Sequence, residues 1–369
     1  MKRILHVLGT LDRGGTESML MNYYRHINRN EMQFDFVVHT TRHCDYEDEV
    51  LSLGGIVHRV PRFSLINIRN YKRAWAQLFS LHHEYKIIHV HHFLVAGIVL
   101  PIAARFGIPV RIVHSHNTKP PIFLLKEKVM WLFHHNMIKY STERLACSND
   151  AGRYLFGNQP FKVFYNAIET DRYEYNESNR KKIRDEFGLS DDDFVIGHIG
   201  SFRTRQKNHS FLIEVFAELA KYDSHAKLML VGDGQLRKEI ESKCRLLDLE
   251  KKTIFAGVRD DVPALLSAMD VFLFPSFFEG LGIVGVEAQA AGLLCVFSDA
   301  IPDEACVTDL VIKMSLKEKA NEWALRITEL QHRRERGTYC REVARAGFDV
   351  ESNLRKLEEL YNLTIIDNE

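Results

Sequence analysis

No run of about 20 apolar residues occurs in the 369-residue chain, which excludes a transmembrane helix. The N-terminal Lys2-Arg3 has the charge of a secretory signal, but the apolar run Ile4–Leu8 is too short and Asp12-Arg13 follow at once, so a first β-strand fits better. Cysteine is scarce: six residues, at 44, 147, 244, 295, 306 and 340, with no C-x-x-C pair. A chain of this length needs no disulfide staples, so free buried thiols and a cytoplasmic location are expected. The sequons at Asn176, Asn208 and Asn362 then carry no meaning. Net charge is also missing, with 49 basic and 49 acidic residues, yet the halves differ. Residues 1–165 hold 21 Lys and Arg against 12 Asp and Glu, a balance of +9, and 14 of the 18 histidines; the remainder balances at −9. A basic half joined to an acidic half points the first toward anions or a membrane surface, or simply reflects two differently charged solvated faces. With 46% apolar and 27% charged residues, disorder, collagen and coiled coil are excluded as the main content.

Short apolar runs alternate with longer amphipathic stretches. In the first half strands are predicted at Arg3–Leu8, Phe34–Thr40, Ile56–Val60, Ile87–His92, Val110–His114, Arg144–Cys147 and Lys162–Phe164. Helices are predicted between them, among others at Thr16–Ile27, Tyr71–His83, Val95–Phe106 and Lys126–Ser141. The second half restarts with strands Phe194–Ile199, Lys227–Val231, Ile254–Ala256, Val271–Phe274 and Cys295–Phe297 and helices His209–Tyr222, Gln235–Leu247 and Val284–Ala291. This alternation argues for an α/β protein with parallel sheets covered on both faces. The expected division is a doubly wound domain over 1–166, a polar connection over 167–193, a second doubly wound domain over 194–348 and a terminal helix over 349–369. After Ser315 the chain reads as nearly all helical and charged. Ligands of open α/β sheets bind outside the carboxyl ends of the strands, and two such domains facing each other make a cleft.

The segment from Pro275 to Gly292, PSFFEGLGIVGVEAQAAG, carries the most chemistry. It follows an apolar strand, passes through glycines and opens a helix, an arrangement that presents backbone N–H groups to an anion. Glu279 and Glu287 stand eight residues apart, one in the loop and one on the helix, and suit hydroxyls at opposite ends of a ligand. The segment resembles the E-x7-E signature of retaining family 4 glycosyltransferases of the GT-B fold. It matches at Pro275, Ser276, Glu279, Gly280, Gly282, Glu287, Ala288, Ala290 and Gly292. A lone E-x7-E would be weak; this many matches is specific.

Three further segments fit the resemblance. Gly14-Gly15-Thr16-Glu17 is similar to the family's G-G-x-E loop, which approaches the donor diphosphate, although a Gly-Gly turn before a helix also has an ordinary capping explanation. Gly232-Asp233-Gly234 resembles a G-x-G turn. Gly200-Ser201-Phe202 with Gln206-Lys207-Asn208-His209 resembles G-R-F…Q-K-N, in which the Lys binds diphosphate. Here Ser201 stands where the family has Arg, and Arg203 or Arg205 would supply the cation from a shifted position; Lys207 is the better candidate than either. In His114-Ser115-His116-Asn117, His116 is the better match to the family's histidine near the sugar–phosphate junction, and His114 the second.

The resemblance implies two Rossmann-like domains, a C-terminal helix (Val350–Leu363) crossing back to the first domain, and transfer of a hexose-type sugar with retention, without cofactor or metal. Lys207, Gly15, Thr16 and the Gly280-Leu281-Gly282 turn would stabilise the departing phosphate. Glu287 would accept from ribose hydroxyls and Glu279 from the sugar, with the base near Val258-Arg259 and UDP as the expected nucleotide. No D-x-D pair stands at a strand end, as a metal-dependent transferase of the GT-A type would need, and Asp191-Asp192-Asp193 reads as a solvated turn. His89-Val90-His91-His92 puts His89 and His91 on one face, and no metal site is expected there. On the acceptor side, Arg62, Arg69, Lys72 and Arg73 interleave with Phe63, Leu65, Ile66 and Tyr71, and Lys126, Lys128 and Lys139 with Trp131, Leu132 and Phe133. Such mixtures suit an anionic membrane face or an amphipathic helix packed on its own domain. Bacterial exopolysaccharide and capsule enzymes are the resemblance's nearest kind, so the expected acceptor is a saccharide or polyprenyl-linked saccharide. The alternatives are a non-catalytic sugar-nucleotide-binding subunit, which Ser201 favours, and a nucleotide-sugar epimerase, which the full Glu279–Glu287 signature opposes. No pyridoxal-lysine motif, no G-x-G-x-x-G after the first strand and no nucleic-acid recognition motif occurs.

Overall fold

The computed structural model describes residues 1–118, 127–330 and 336–366, with main chain only at 127–130, 330 and 363–366. The chain divides into two compact units: residues 1–167 with 350–369, and residues 168–349. In the first, β1 (Lys2–Val7), β2 (Met32–Val38), β3 (Val57–Arg59), β4 (Ile87–Val90), β5 (Val110–Ser115), β6 (Glu143–Ala146) and β7 (Lys162–Val163) form a sheet in the order β3-β2-β1-β4-β5-β6-β7. In the second, β8 (Phe194–Ile199), β9 (Ala226–Val231), β10 (Thr253–Gly257), β11 (Val271–Phe274), β12 (Leu294–Ser298) and β13 (Val311–Met314) run in the order β10-β9-β8-β11-β12-β13. Every pairing in both sheets is parallel. Both orders begin 3-2-1-4 when counted within the unit, the doubly wound arrangement, and the strand order reverses between β1 and β4 and between β8 and β11.

Burial on both faces explains why the strands read as apolar runs rather than alternations. All seven residues of β2 are buried, Asp35 among them. That carboxylate accepts from Arg3 Nε at 2.6 Å, Tyr85 Oη at 2.9 Å and the Ile56 N–H at 2.8 Å, so a buried charge is fully partnered. The helix Val350–Ile366 belongs to the first unit, where Val350, Leu354, Leu357 and Tyr361 join the core with Leu20, Met21, Tyr24 and Phe34. In the second unit the helix His209–Tyr222 packs Leu212, Val215, Phe216 and Leu219 against β8 and β9 residues and Trp323. No helix among the described residues is long and apolar enough to cross a membrane.

Three expectations change. Residues 168–193 do not connect the domains but fold with the second unit. Their polar composition hides a helix, Glu177–Glu186, whose Arg180 and Arg184 reach into the core of that unit. Arg180 Nη2 donates to Asp270 at 2.8 Å; the buried Arg184 donates to the carbonyls of Ala268 at 3.0 Å and Asp193 at 2.7 Å. Second, Asp191 and Asp192 are exposed, but Asp193 is buried and accepts from the Ser190 N–H, so the triplet is a turn that its last side chain closes rather than a wholly solvated one. Third, β13 follows β12 where no strand is predicted: Val311–Met314 is a four-residue edge strand, interrupted by Lys313 and only partly buried. Lys126 and the Lys128 side chain lie outside the described residues.

Replacing Arg184 leaves several carbonyls without their donor, although Arg180 still faces Asp270. Arg184→Ala should lower stability by about 3 kcal/mol, read as a fall in the urea midpoint of the second unit.

Candidate functional site

In the second unit the switch point lies between β8 and β11. The loops leaving their carboxyl ends, Gly200–Asn208 and Pro275–Gly282, are laced together. The Phe277 N–H donates to Gln206 O at 2.9 Å, and Gln206 Nε2 donates to Phe278 O at 3.0 Å. Asn208 closes the first loop in the left-handed conformation (φ 55°), which Asn tolerates better than most residues, and leads into His209–Tyr222. Gly282 (φ 85°) opens the helix Ile283–Ala290, and a Cβ there would lie 3.0 Å from the Phe274 ring. Gly232 (φ 132°), after β9, permits a still closer approach: a Cβ would lie 2.1 Å from Gly200 O.

Within this frame Lys207 and Glu279 meet. Lys207 Nζ donates to Glu279 Oε1 at 2.8 Å and sits 4.8 Å from the Phe274 ring centre, while Gln206 Nε2 reaches Glu279 Oε2 at 3.3 Å. The side chains are 17% and 7% exposed, so the pair is largely withdrawn from water. Each charge there would be costly without the other. Glu287, on the helix behind the glycine turn, accepts from Tyr173 Oη at 3.0 Å. Burial pushes its carboxyl up to about 7, against the opposing pull of the Tyr173 hydrogen bond and the Lys207 charge. Tyr173 itself is raised well above 10, by burial first and then by Glu287. Tyr173 stands in the stretch expected to be a connection, and nothing in its sequence neighbourhood marks it.

The remaining residues divide clearly. Gly280, Leu281 and Gly282 lie in the turn beside Glu279, and Gly232 borders Gly200. Ser201 and Arg203 are exposed, and the Arg203 N–H donates to Ser201 Oγ at 3.3 Å. Arg205 is turned to Glu239, with bonds of 2.7 and 3.0 Å. Arg259 is forked between Asp261, at 2.8 and 2.7 Å, and Glu186, at 2.6 and 3.1 Å, while Val258 beside it is exposed. In the first unit Gly15 and Thr16 open the helix Gly15–His26 after β1, with Gly14 as its cap. His114 is buried in β5, His116 is half-buried with Nε2 2.9 Å from His91 Nδ1, and Asn117 is exposed. A lysine, a glycine-rich helix start and two carboxylates near a switch point are groups whose chemistry suits a phosphorylated, hydroxyl-rich ligand.

Comparison with known proteins extends this. Residues 13–172 match the family described as Glycosyltransferase Family 4, and residues 179–347 the family described as Glycosyl transferases group 1. The putative glycosyltransferase EpsF of Bacillus subtilis is 34% identical over 373 residues, covering 98% of this chain and 97% of that one. The UDP-Gal:alpha-D-GlcNAc-diphosphoundecaprenol alpha-1,3-galactosyltransferase of Escherichia coli is 27% identical over 302 residues, 75% of each chain. Among solved structures, Anabaena HepE in complex with UDP-glucose aligns with a TM-score of 0.82 at 20% identity, covering 98% of this chain and 100% of that one, a likeness of fold. The two family matches divide the chain between them, and the Bacillus relative spans nearly all of it: the chain belongs to the glycosyltransferases of the two-domain GT-B type.

Proposed function

We propose that the protein is a retaining glycosyltransferase that moves a sugar from a UDP-sugar to a saccharide or polyprenyl-linked saccharide acceptor in surface-polysaccharide synthesis. The Lys207–Glu279 pair beside the Gly280–Gly282 turn carries this reading. A donor diphosphate would draw Lys207 toward itself and free Glu279 for the hydroxyls of the transferred sugar. The bond from C1 to the leaving phosphate oxygen breaks as the bond from C1 to the acceptor oxygen forms on the same face, and the departing phosphate takes the acceptor proton. Lys207 and the glycine N–H groups stabilise the charge that develops on that phosphate. Glu287 accepts from the ribose, and Val258 offers an apolar surface to the base. Arg205, Arg259 and Lys207 are each paired with a carboxylate, and Lys207 is taken as the phosphate cation because its partner is Glu279, in the loop beside the glycine turn. Gly15 and Thr16 add the N–H groups of a second helix start. His114, His116 and Asn117 serve the acceptor side, with Asn117 the member exposed to it. The UDP-galactose and diphosphoundecaprenol in the name of the Escherichia coli relative support both the nucleotide and the acceptor class.

The first test is a thermal-shift panel of UDP, GDP and ADP with their sugars. UDP compounds should raise the melting temperature, and no shift with any nucleotide at millimolar concentration would overturn the donor reading. Lys207→Met should lower UDP-sugar turnover about 10²–10³-fold. The double variant with Glu279→Gln removes the orphaned buried carboxylate, so it should recover stability without recovering turnover. Recovered turnover would show that Lys207 acts only through folding.

Glu287 gives the reaction a pH signature. Its carboxyl titrates near 7 in the free protein, and ribose hydroxyls donate to its charged form, so nucleotide binding releases a proton. UDP affinity should therefore rise about tenfold per pH unit below 7 and level off above it. Glu287→Gln should flatten the curve. Tyr173→Phe removes a bond that favours the carboxylate and should move the rise to higher pH, as isothermal titration would show.

A peripheral membrane role rests on the first unit. Leu65, Ile66, Trp131 and Leu132 are exposed, and the segments that carry them are joined by a Phe63–Phe133 ring contact of 5.8 Å. Arg62, Arg69, Lys72 and Arg73 are exposed beside them, whereas Tyr71 and Trp75 are core residues. Binding to anionic vesicles should fall in Ile66→Asp and in Lys72→Glu/Arg73→Glu, and with added salt. Cosedimentation that ignores all three would remove the membrane from the proposal.

A further inference from the structure

Five imidazoles gather at the carboxyl edge of the first unit's sheet. His6 lies on β1 opposite His89 of β4. The β4–β5 register, His89 opposite Ile112 and Val90 opposite Val113, brings His91 level with His114. His89 and His91, like His114 and His116, are two residues apart and share a face. Ring centres are 4.2 Å apart for His89–His91, 4.0 Å for His114–His116 and 5.1 Å for His91–His116. Sequence alternation accounts for the pairs; only the sheet register joins them into one cluster.

The hydrogen bonding of this cluster is incomplete. His6 Nδ1 lies 3.1 Å from His91 Nε2, His91 Nδ1 lies 2.9 Å from His116 Nε2, and His89 Nδ1 lies 2.7 Å from Tyr361 Oη. Both nitrogens of the buried His114, together with His6 Nε2, His89 Nε2 and His116 Nδ1, are buried without a hydrogen-bond partner of normal geometry among the described residues. The backbone of Phe164 and the side chain of Asn166 are polar neighbours of His114 and His116. A neutral imidazole carries one N–H and one lone pair, so rings crowded this closely can offer lone pairs to a shared ligand once the contacts among them give way. An unmet polar atom in such a place is costly. Two triplets, His6–His89–His91 and His91–His114–His116, bring one nitrogen of each member within 4.8 Å of the others.

We propose that His91, His114 and His116 form a binding site for a transition-metal ion of the zinc class. The second triplet is preferred because neither nitrogen of His114 is in a hydrogen bond of normal geometry, whereas His89 is engaged by Tyr361. If His91 ligates through Nδ1, its Nε2–H is left to donate to His6 Nδ1, the outer bond that orients a ligating histidine. Three neutral nitrogens with no carboxylate or thiolate suit Zn²⁺, Cu²⁺ or Ni²⁺ rather than Mg²⁺ or Ca²⁺, and leave a fourth position for water. The ion would tie the end of β4 to the end of β5, just before the exposed Asn117, and would make His116 a fixed positioning residue rather than a free acid or base. This inference does not depend on the donor reading, and its test uses no sugar or nucleotide.

The test is metal analysis and Co²⁺ titration of the untagged full chain. Elemental analysis should find about one zinc per chain. Cobalt added after chelation should give the intense visible bands of a tetrahedral nitrogen site, saturating at one equivalent. His91→Gln and His114→Gln should abolish the bands, His6→Gln should weaken binding about 10–100-fold, and His83→Gln/His135→Gln should leave it unchanged. No retained metal and no tetrahedral spectrum in folded wild-type protein would overturn the proposal, even if the ligand variants fail to fold. Bands that persist in folded His114→Gln would place the metal elsewhere and overturn it equally.

Discussion

All strand pairing in both sheets is parallel, and the rest of the molecule follows from that constraint. A parallel strand must be re-entered from the opposite edge, so each connection crosses back and covers a face of the sheet. Both faces are then buried, which turns the strands into apolar runs and sends polar chemistry to the strand ends. The carboxyl ends of a sheet's strands share one edge. Residues far apart in sequence therefore meet there without long loops: Lys207 with Glu279 in the second unit, and His6 with His91 and His116 in the first.

The Lys207–Glu279 pair shows why such an edge suits anion chemistry. Two opposite charges so far withdrawn from water are costly apart, and at 2.8 Å each offsets part of the other's loss of solvation. Glu287 shows the contrast. Without a cation in contact, and with one tyrosine hydroxyl as its partner, it is pushed up to about 7. Two carboxylates of one motif thus have different partners, a lysine for Glu279 and a tyrosine hydroxyl for Glu287.

This difference also marks how much could be read in advance. The strands Phe194–Ile199 and Val271–Phe274 and the helix His209–Tyr222 have the bounds that their apolar runs indicate, because burial on both faces writes itself directly into composition. The loop glycines were legible for a related reason: Gly232 and Gly282 adopt backbone angles that other residues rarely reach. What stayed hidden depends on contacts between distant segments. Tyr173 reads as one polar-stretch residue among many until the fold puts its hydroxyl on Glu287. The helix Glu177–Glu186 looked solvated because its arginines are charged, yet Arg184 is buried and donates to backbone carbonyls, which no local pattern encodes. The engagement of Arg205 by Glu239 is equally invisible in sequence.

The histidine cluster extends the same reasoning. Period-two alternation puts two imidazoles on one face of a strand, and two nitrogens seldom hold a metal. The third and later members come only from register: a shift of one residue between β4 and β5 would turn His114 and His116 to the other face and dissolve the group. Register is set here by buried apolar neighbours, Ile87 opposite Val110 and Val90 opposite Val113, rather than by the imidazoles. The core therefore holds the histidines together at a cost in unmet hydrogen bonds. Imidazoles crowded at such a cost call for a ligand that relieves it, and a metal ion is one that several ring nitrogens can share at once.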